Sequence, residues 1–391
     1  MTAITISDLY NHAHIKLDAA PKTITNEDLL FELEKQIAIL EGGKNALAKK
    51  TFRSARFTII KNLLSVQQGN ILSFQSKQQW ESDEIIYKRI GTSIIYVEDY
   101  SLDEWENLLA QNNISIIYIS TIQQQTLAIN DFGYIIHRAH QANIPVVFDN
   151  THGGLGHVYA PLIDGADFVL TDVSASSSIF KNIPIQAFII EGVTPVAALG
   201  ENAYLSGSSF LGKLKQNRVL PLKNSFIIPD SENYIGKLLK KEARKQGDFS
   251  RTANYVARWL NNQSEIMEVN YPGLKASENH IHAELYFKGG YGSVFRFSLW
   301  DIEYGYSLLK GFIRSGKVHG VNIDVDSERK EFVVEINTEN YTHVLQYFQK
   351  IFTNLKQNIE FKQHITKENH LKRLFDNELK QLLSTPIKSK R

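Results

Sequence analysis

Asp149 closes an apolar run, Ile144-Pro-Val-Val-Phe-Asp149, and is followed by Asn-Thr-His152-Gly-Gly-Leu-Gly156. A short run of that kind between polar segments reads as a buried strand, and ligands in open α/β sheets sit at the carboxyl ends of strands. A carboxylate in that place can hold a cation. His152, three residues on, is the residue type of a general acid or base, but its sequence neighbours supply no partner for such a base. Gly153-Gly-Leu-Gly156 resembles half a glycine-rich phosphate loop, though it follows the carboxylate and not a strand–helix turn. The 12 histidines include the pairs His137/His140 and His280/His282. His137 and His140 have the one-turn spacing of a shared metal but bring no third ligand, so no metal is expected.

Those groups need a scaffold, and the hydrophobic pattern supplies one. Leu30, Leu33, Ile37 and Leu40 recur at helical spacing after a Thr25 or Asn26 cap, and Gly42 and Gly43 end the helix. Beyond it, apolar strands alternate with helices. Ser115–Ser120 is a strand, Phe132, Ile135, Ile136 and Ala139 stripe a helix, and Val146–Phe148, Phe168–Leu170 and Ala187–Ile190 are further strands. That rhythm predicts a mostly parallel sheet with helices on both faces. The later part alternates strands and helices as a smaller α+β domain.

Several stretches carry a family resemblance. Ile144–Thr151, followed by Gly165-Ala-Asp-Phe-Val-Leu-Thr-Asp-Val-Ser174-Ala175, is one. Phe31–Gly43, Val269–Leu274 with Asn279, His280 and Ala283, and Gly290–Leu299 are others. Together, in order, they resemble the Cys/Met-metabolism family of pyridoxal phosphate (PLP) enzymes, the O-acetylhomoserine sulfhydrylases and cystathionine synthases and lyases. The likeness runs from about Asn26 to about Leu355. It implies a type I aminotransferase-like, PLP-transferase α/β fold, with Asp149 as the residue that pairs with the pyridinium nitrogen.

The same resemblance marks what is missing. The lysine that would hold PLP as a Schiff base is Ala175, beside Ser174. The phosphate cup, where the family has a small Ser-Gly pair, reads Thr51-Phe52-Arg53, and phenylalanine cannot copy the close approach glycine permits. Arg53 is left to attract an anion or to pair with Asp149 and Asp172. The tyrosine that would stack on the ring is absent from Asn70–Glu84, where Trp80 is the nearby aromatic and reads as partly buried. The arginine that grips a substrate carboxylate aligns with Val333. Lys181, six residues past Ala175, reaches the Schiff-base position only if its loop is rebuilt. His152 then reads as a filler that replaces lost cofactor atoms. The site implied for a PLP-like ligand reduces to Asp149, Ser174 and Thr51, with no catalytic residue and no bound cofactor expected.

The chain has 391 residues, 43 basic against 42 acidic, and 0 cysteines. Near-zero charge gives no reason to expect a nucleic-acid partner, and the lack of thiols suits a reducing cytosol. Neither a signal peptide nor an apolar run of about 18 residues is visible, so a cytoplasmic, membrane-free protein is expected. The expected organisation is an arm and helix over 1–60, a large α/β domain over 61–240, an α+β domain over 241–358, and an extra helix and tail over 359–391. Leu371, Leu374, Phe375, Leu379, Leu382 and Leu383 form one helical stripe in that tail. The resemblance implies a pseudoenzyme, kept as an oligomeric scaffold. Family members are dimers of dimers with shared sites, so the partner is a second copy, as dimer or tetramer, or an active paralogue. The alternative is an active PLP-dependent or PLP-free transferase or lyase of sulfur amino-acid metabolism.

Overall fold

The computed structural model describes residues 21–97, 102–123, 125–173, 185–193, 209–216, 226–229, 234–315 and 318–360. The arm before residue 21, Ser174, Ala175, Lys181 and the tail stripe from Leu371 to Leu383 lie outside those residues. The chain divides into two compact units, Met1–Asn254 with Tyr271–Val294, and Tyr255–Asn270 with Phe295–Arg391.

In the first unit, strand β1 (Pro21–Ile24) leads into α1 (Asn26–Leu40), β2 (Asn45–Lys49), α2 (Phe52–Val66) and β3 (Asn70–Ser73). Then come α3 (Glu81–Arg89), β4 (Ile94–Tyr96), α4 (Leu102–Gln111), β5 (Ile114–Ser120), α5 (Phe132–Gln141) and β6 (Val146–Asp149). The order continues with β7 (Phe168–Asp172), β8 (Ala187–Glu191), α6 (Phe210–Gln216), β9 (Phe226–Pro229) and α7 (Tyr234–Asn261), whose residues from Tyr255 on belong to the second unit. A seven-stranded sheet has the order β2-β8-β7-β6-β5-β3-β4. Its neighbours from β7 to β4 pair parallel, whereas β8 runs antiparallel to both β2 and β7. β1 pairs antiparallel with β9 as a separate ribbon.

The helix stripes explain why these elements dock. On α2 the buried positions are Ala55, Arg56, Ile59, Ile60, Leu63 and Leu64, a single face at helical spacing. Its apolar members pack on Ile116, Tyr118, Val147, Phe168, Leu170 and Ile189 of the sheet. Each fully buried Ile or Leu contributes roughly 1.5–3 kcal/mol from apolar burial. Strand β5 is buried at every position, as a central parallel strand covered on both faces must be. Thr25 caps α1 by accepting from Asp28 N, and α1 stops at Glu41 with Gly42 at φ +74°.

The second unit is an antiparallel sheet with the order β10-β11-β13-β12, formed by β10 (Ile266–Asn270), β11 (Val294–Leu299), β12 (Val321–Asp326) and β13 (Glu331–Ile336). Between them lie α8 (His280–Tyr286), in the first unit, and α9 (Tyr304–Ser315). A helix over 341–360 follows. The core of this unit includes Phe297 stacked on Phe332, with Phe348 and Phe352 against Phe297. Among the described residues no helix is long and apolar enough to cross a membrane.

Candidate functional site

Parallel pairing of β5 with β6 sets Ser120 opposite Asp149 at the carboxyl edge of the sheet. Asp149 is half-buried there, and both carboxylate oxygens have donors. Gln75 Nε2 donates to Oδ2 at 2.9 Å, and the backbone N–H of Thr151 donates to Oδ1 at 3.2 Å. The same Gln75 amide lies 2.5 Å from Ser120 Oγ. Gln75 is 2% exposed, so its amide is a fixed part of the interior.

Gln75 is aimed by the turn that follows β3. Its backbone N–H donates to Ser73 Oγ at 3.1 Å, and Phe74 N donates to Tyr118 O at 2.9 Å. Ser73 Oγ also accepts Trp80 Nε1 at 2.8 Å. Trp80 is not partly buried, as its sequence context suggested, but fully buried. Its ring meets Tyr118 edge-on at 4.9 Å, and the Arg56 guanidinium lies 4.4 Å from its centroid. An indole with its N–H paired and both faces packed is a core element.

The start of α2, where a phosphate cup was expected, is closed by its own side chains. Thr51 Oγ1 accepts Ser54 N while Ser54 Oγ takes Thr51 N, a reciprocal cap. Phe52 packs against the core of the sheet. Arg53 neither stands free for an anion nor pairs with Asp149 or Asp172. Its Nε reaches Asp83 Oδ1 at 2.5 Å, and its Nη2 donates to Ser82 O at 2.6 Å. Asp83, 2% exposed in the first turn of α3, also pairs with Arg56. One buried carboxylate thus absorbs both arginines of this helix end.

Two buried polar atoms near the carboxylate, Gln75 Oε1 and the Tyr118 hydroxyl, have no hydrogen-bond partner among the described residues. Burial, with the Asp149 charge adding to it, pushes the Tyr118 phenol well above its ordinary value, so it stays protonated. His152 lies on a one-turn 3₁₀ helix, Thr151–Gly153, and no described residue hydrogen-bonds it. No described nucleophile or base is hydrogen-bonded to Asp149.

Beside Asp149, Asn150 links three elements. Its Nδ2 donates to Glu41 Oε2 at 2.8 Å and to Tyr159 O at 2.9 Å, while Oδ1 accepts Thr121 Oγ1. Glu41 is fully buried, and burial pushes its carboxyl up to about 8, against a smaller downward pull from Asn150. The other sequence candidates are also engaged. His140 Nε2 contacts Asp167 Oδ2 at 3.0 Å, and Asp167 in turn accepts Val146 N. Asn279 and His282 bind Ile129 N and O, and His280 Nδ1 meets Pro272 O. In the second unit, Val333 sits on β13 opposite Asp324. The buried arginine of that unit is Arg296, held by Asp326 at 2.6 Å and Glu331 at 2.7 Å.

Sequence reasoning missed Gln75, Asp83, Glu41 and Arg296. For Gln75 the available signal was its place just past a buried strand, at the ligand edge of the sheet.

Comparison with known proteins gives the same fold and the same region. Homocysteine/cysteine synthase of Saccharomyces cerevisiae is 27% identical over 299 residues, 69% of this chain and 64% of the relative. O-acetyl-L-homoserine sulfhydrylase 1 of Thermus thermophilus is 25% identical over 305 residues, 72% of this chain and 70% of the relative. The match thus spans just under two thirds of the yeast enzyme's length. Cystathionine gamma-lyase of Lactobacillus plantarum, solved with L-serine, superposes with a TM-score of 0.64 at 17% identity, over 83% of this chain and 86% of that one. The fold is the type I PLP fold of those lyases and synthases. Residues 25–176, the part that carries α1, Thr51, Gln75 and Asp149, match the family of Cys/Met metabolism PLP-dependent enzymes.

Proposed function

We propose that this chain is a non-catalytic relative of the O-acetylhomoserine sulfhydrylases and homocysteine synthases, kept for its fold as a protein partner. Gln75 on Asp149 carries the reading. PLP chemistry needs the aspartate to keep a ring nitrogen protonated, and here an internal amide already serves that carboxylate. The capped start of α2 and the commitment of Arg53 to Asp83 remove the anion cup. With Ala175 at the lysine position, the residues present do not fit PLP as a covalent cofactor. The partner is a second copy of the chain or an active paralogue whose sites it completes or regulates. Light scattering of the purified chain, alone and mixed with an intact homologue, tests this. A dimer, tetramer or mixed oligomer supports the reading, and a monomer under both conditions contradicts it.

Asp149 itself favours a second reading, an active transferase or lyase that handles O-acyl-homoserine or cysteine-type substrates with or without PLP. Turnover of O-acetylhomoserine with sulfide, abolished in Asp149→Ala, would replace the first reading with this one.

A further inference from the structure

Trp300 and Ile302 stand in the turn between β11 and α9, in the second unit, and are 67% and 51% exposed. The turn is fixed and not slack. Asp301 Oδ1 accepts Glu303 N at 3.2 Å and Tyr304 N at 2.9 Å, and so caps the start of α9. The other three tryptophans are covered by the fold, Trp80 and Trp105 fully and Trp259 in part. A lone exposed apolar side chain is ordinary. An indole and an isoleucine two residues apart on one rigid turn make a small apolar patch, rimmed by the acids Asp301 and Glu303.

The last described helix, over 341–360, ends at this patch. In its final turns, Lys356 Nζ lies 3.4 Å from Glu265 Oε2, and Glu265 O accepts Trp300 N at 3.1 Å. Ile359, one turn further on, reaches α9: a Cβ on Gly305 would lie 3.6 Å from its Cδ1. Residues 361–391 therefore continue the chain from beside Trp300 and Ile302.

The sequence of that continuation fits the patch. Leu371, Leu374, Phe375, Leu379, Leu382 and Leu383 make one helical stripe, and an amphipathic helix must bury its stripe somewhere. Residues 361–391 carry eight basic residues against three acidic ones, a charge opposite to that of Asp301 and Glu303. Leu371 follows Glu360 by 11 residues, a reach of about 16 Å as helix and about 36 Å when extended. A connection that short holds the stripe at an effective concentration on the order of millimolar near its own patch, which favours that patch over the one on a second copy.

We propose that the tail of this chain covers its own patch, the stripe from Leu371 to Leu383 docking as a helix on Trp300 and Ile302. The inference is independent of the sheet edge at Asp149 and holds whether or not the chain turns over a substrate.

Tryptophan fluorescence of the full chain tests it, because the parent spectrum minus that of Trp300→Phe isolates the emission of Trp300. That emission is expected to be blue-shifted and resistant to acrylamide, and to stay so on dilution. Leu374→Asp combined with Leu379→Asp uncovers the ring, so the Trp300 emission shifts red and its quenching by acrylamide rises toward that of a solvated indole. Both substitutions lie outside the two sheets and their covering helices, and circular dichroism verifies that the variant is folded. A Trp300 emission in the parent like that of indole in water overturns the proposal, and this reading needs no tail variant. Shielding that survives in the folded double variant overturns it by giving the cover to another surface. Shielding lost on dilution overturns it by giving the cover to a second copy of the chain.

Discussion

Gln75 Nε2 lies 2.9 Å from Asp149 Oδ2, an internal amide seated on the acid at the ligand edge of the sheet. The two residues are 74 positions apart and meet because β3, β5 and β6 are parallel neighbours. The amide also reaches Ser120, so one side chain ties three strand ends together.

Removing that amide leaves Asp149 without its side-chain donor. Gln75→Ala is expected to cost about 1–3 kcal/mol in urea unfolding. Gln75→Glu sets a second carboxylate against Asp149, and two such groups raise each other's pKa. That variant is expected to be the less stable of the two at neutral pH and to recover as pH falls and the pair takes up a proton. A Gln75→Glu protein as stable as the parent at neutral pH would show that the amide is not seated on Asp149.

Asp83 separates a buried ion pair from an exposed one. Its partner Arg56 is buried, while the Arg53 side chain is 55% exposed. Arg53→Ala is expected to cost under about 1 kcal/mol, as exposed pairs do. Asp83→Ala strands the Arg56 guanidinium inside and is expected to cost about 3–5 kcal/mol. Equal losses for the two variants in the same unfolding assay would contradict this account.

Glu41 gives a pH signature. Its carboxyl is raised from 4.5 to about 8 by burial, so between those values the folded chain holds a proton that the unfolded chain releases. The stabilising proton is fully present below 4.5 and is lost as pH rises through about 8. Unfolding free energy therefore falls as pH rises across that window. Glu41→Gln, which cannot ionise, is expected to flatten that slope in stability measured from about pH 5 to about pH 8. An unchanged slope would mean that Glu41 is ionised in the fold.

Gly156 seats the loop after Asp149 against the end of α1. It has φ +75°, and a Cβ there would lie 2.2 Å from Leu40 O. Gly156→Ala meets both the backbone penalty and the clash, and is expected to cost more than about 2 kcal/mol. A thermal midpoint equal to the parent's would show that the loop sits elsewhere.

The strands were legible because β5, β6 and β7 each carry a run of three or four apolar residues, as covered parallel strands do. The Thr25 cap and the Gly42 stop were legible for local reasons. The contents of the site were less so. Nothing in the spacing of Arg53 and Asp83, 30 residues apart, announces their pairing. Trp80 reads as partly buried because it stands among polar residues; its indole is buried by Arg56 and Tyr118, which arrive from other elements. Gln75 is one polar residue in a polar segment, and its role follows only from strand order.

The central claim is that this chain does not carry PLP on a lysine. The direct measurement is the visible absorption spectrum of the purified protein dialysed with PLP, before and after borohydride, followed by peptide mapping. The account predicts a spectrum equal to that of free PLP and no labelled peptide. A shifted aldimine band, trapped by borohydride on a lysine such as Lys181, would contradict it.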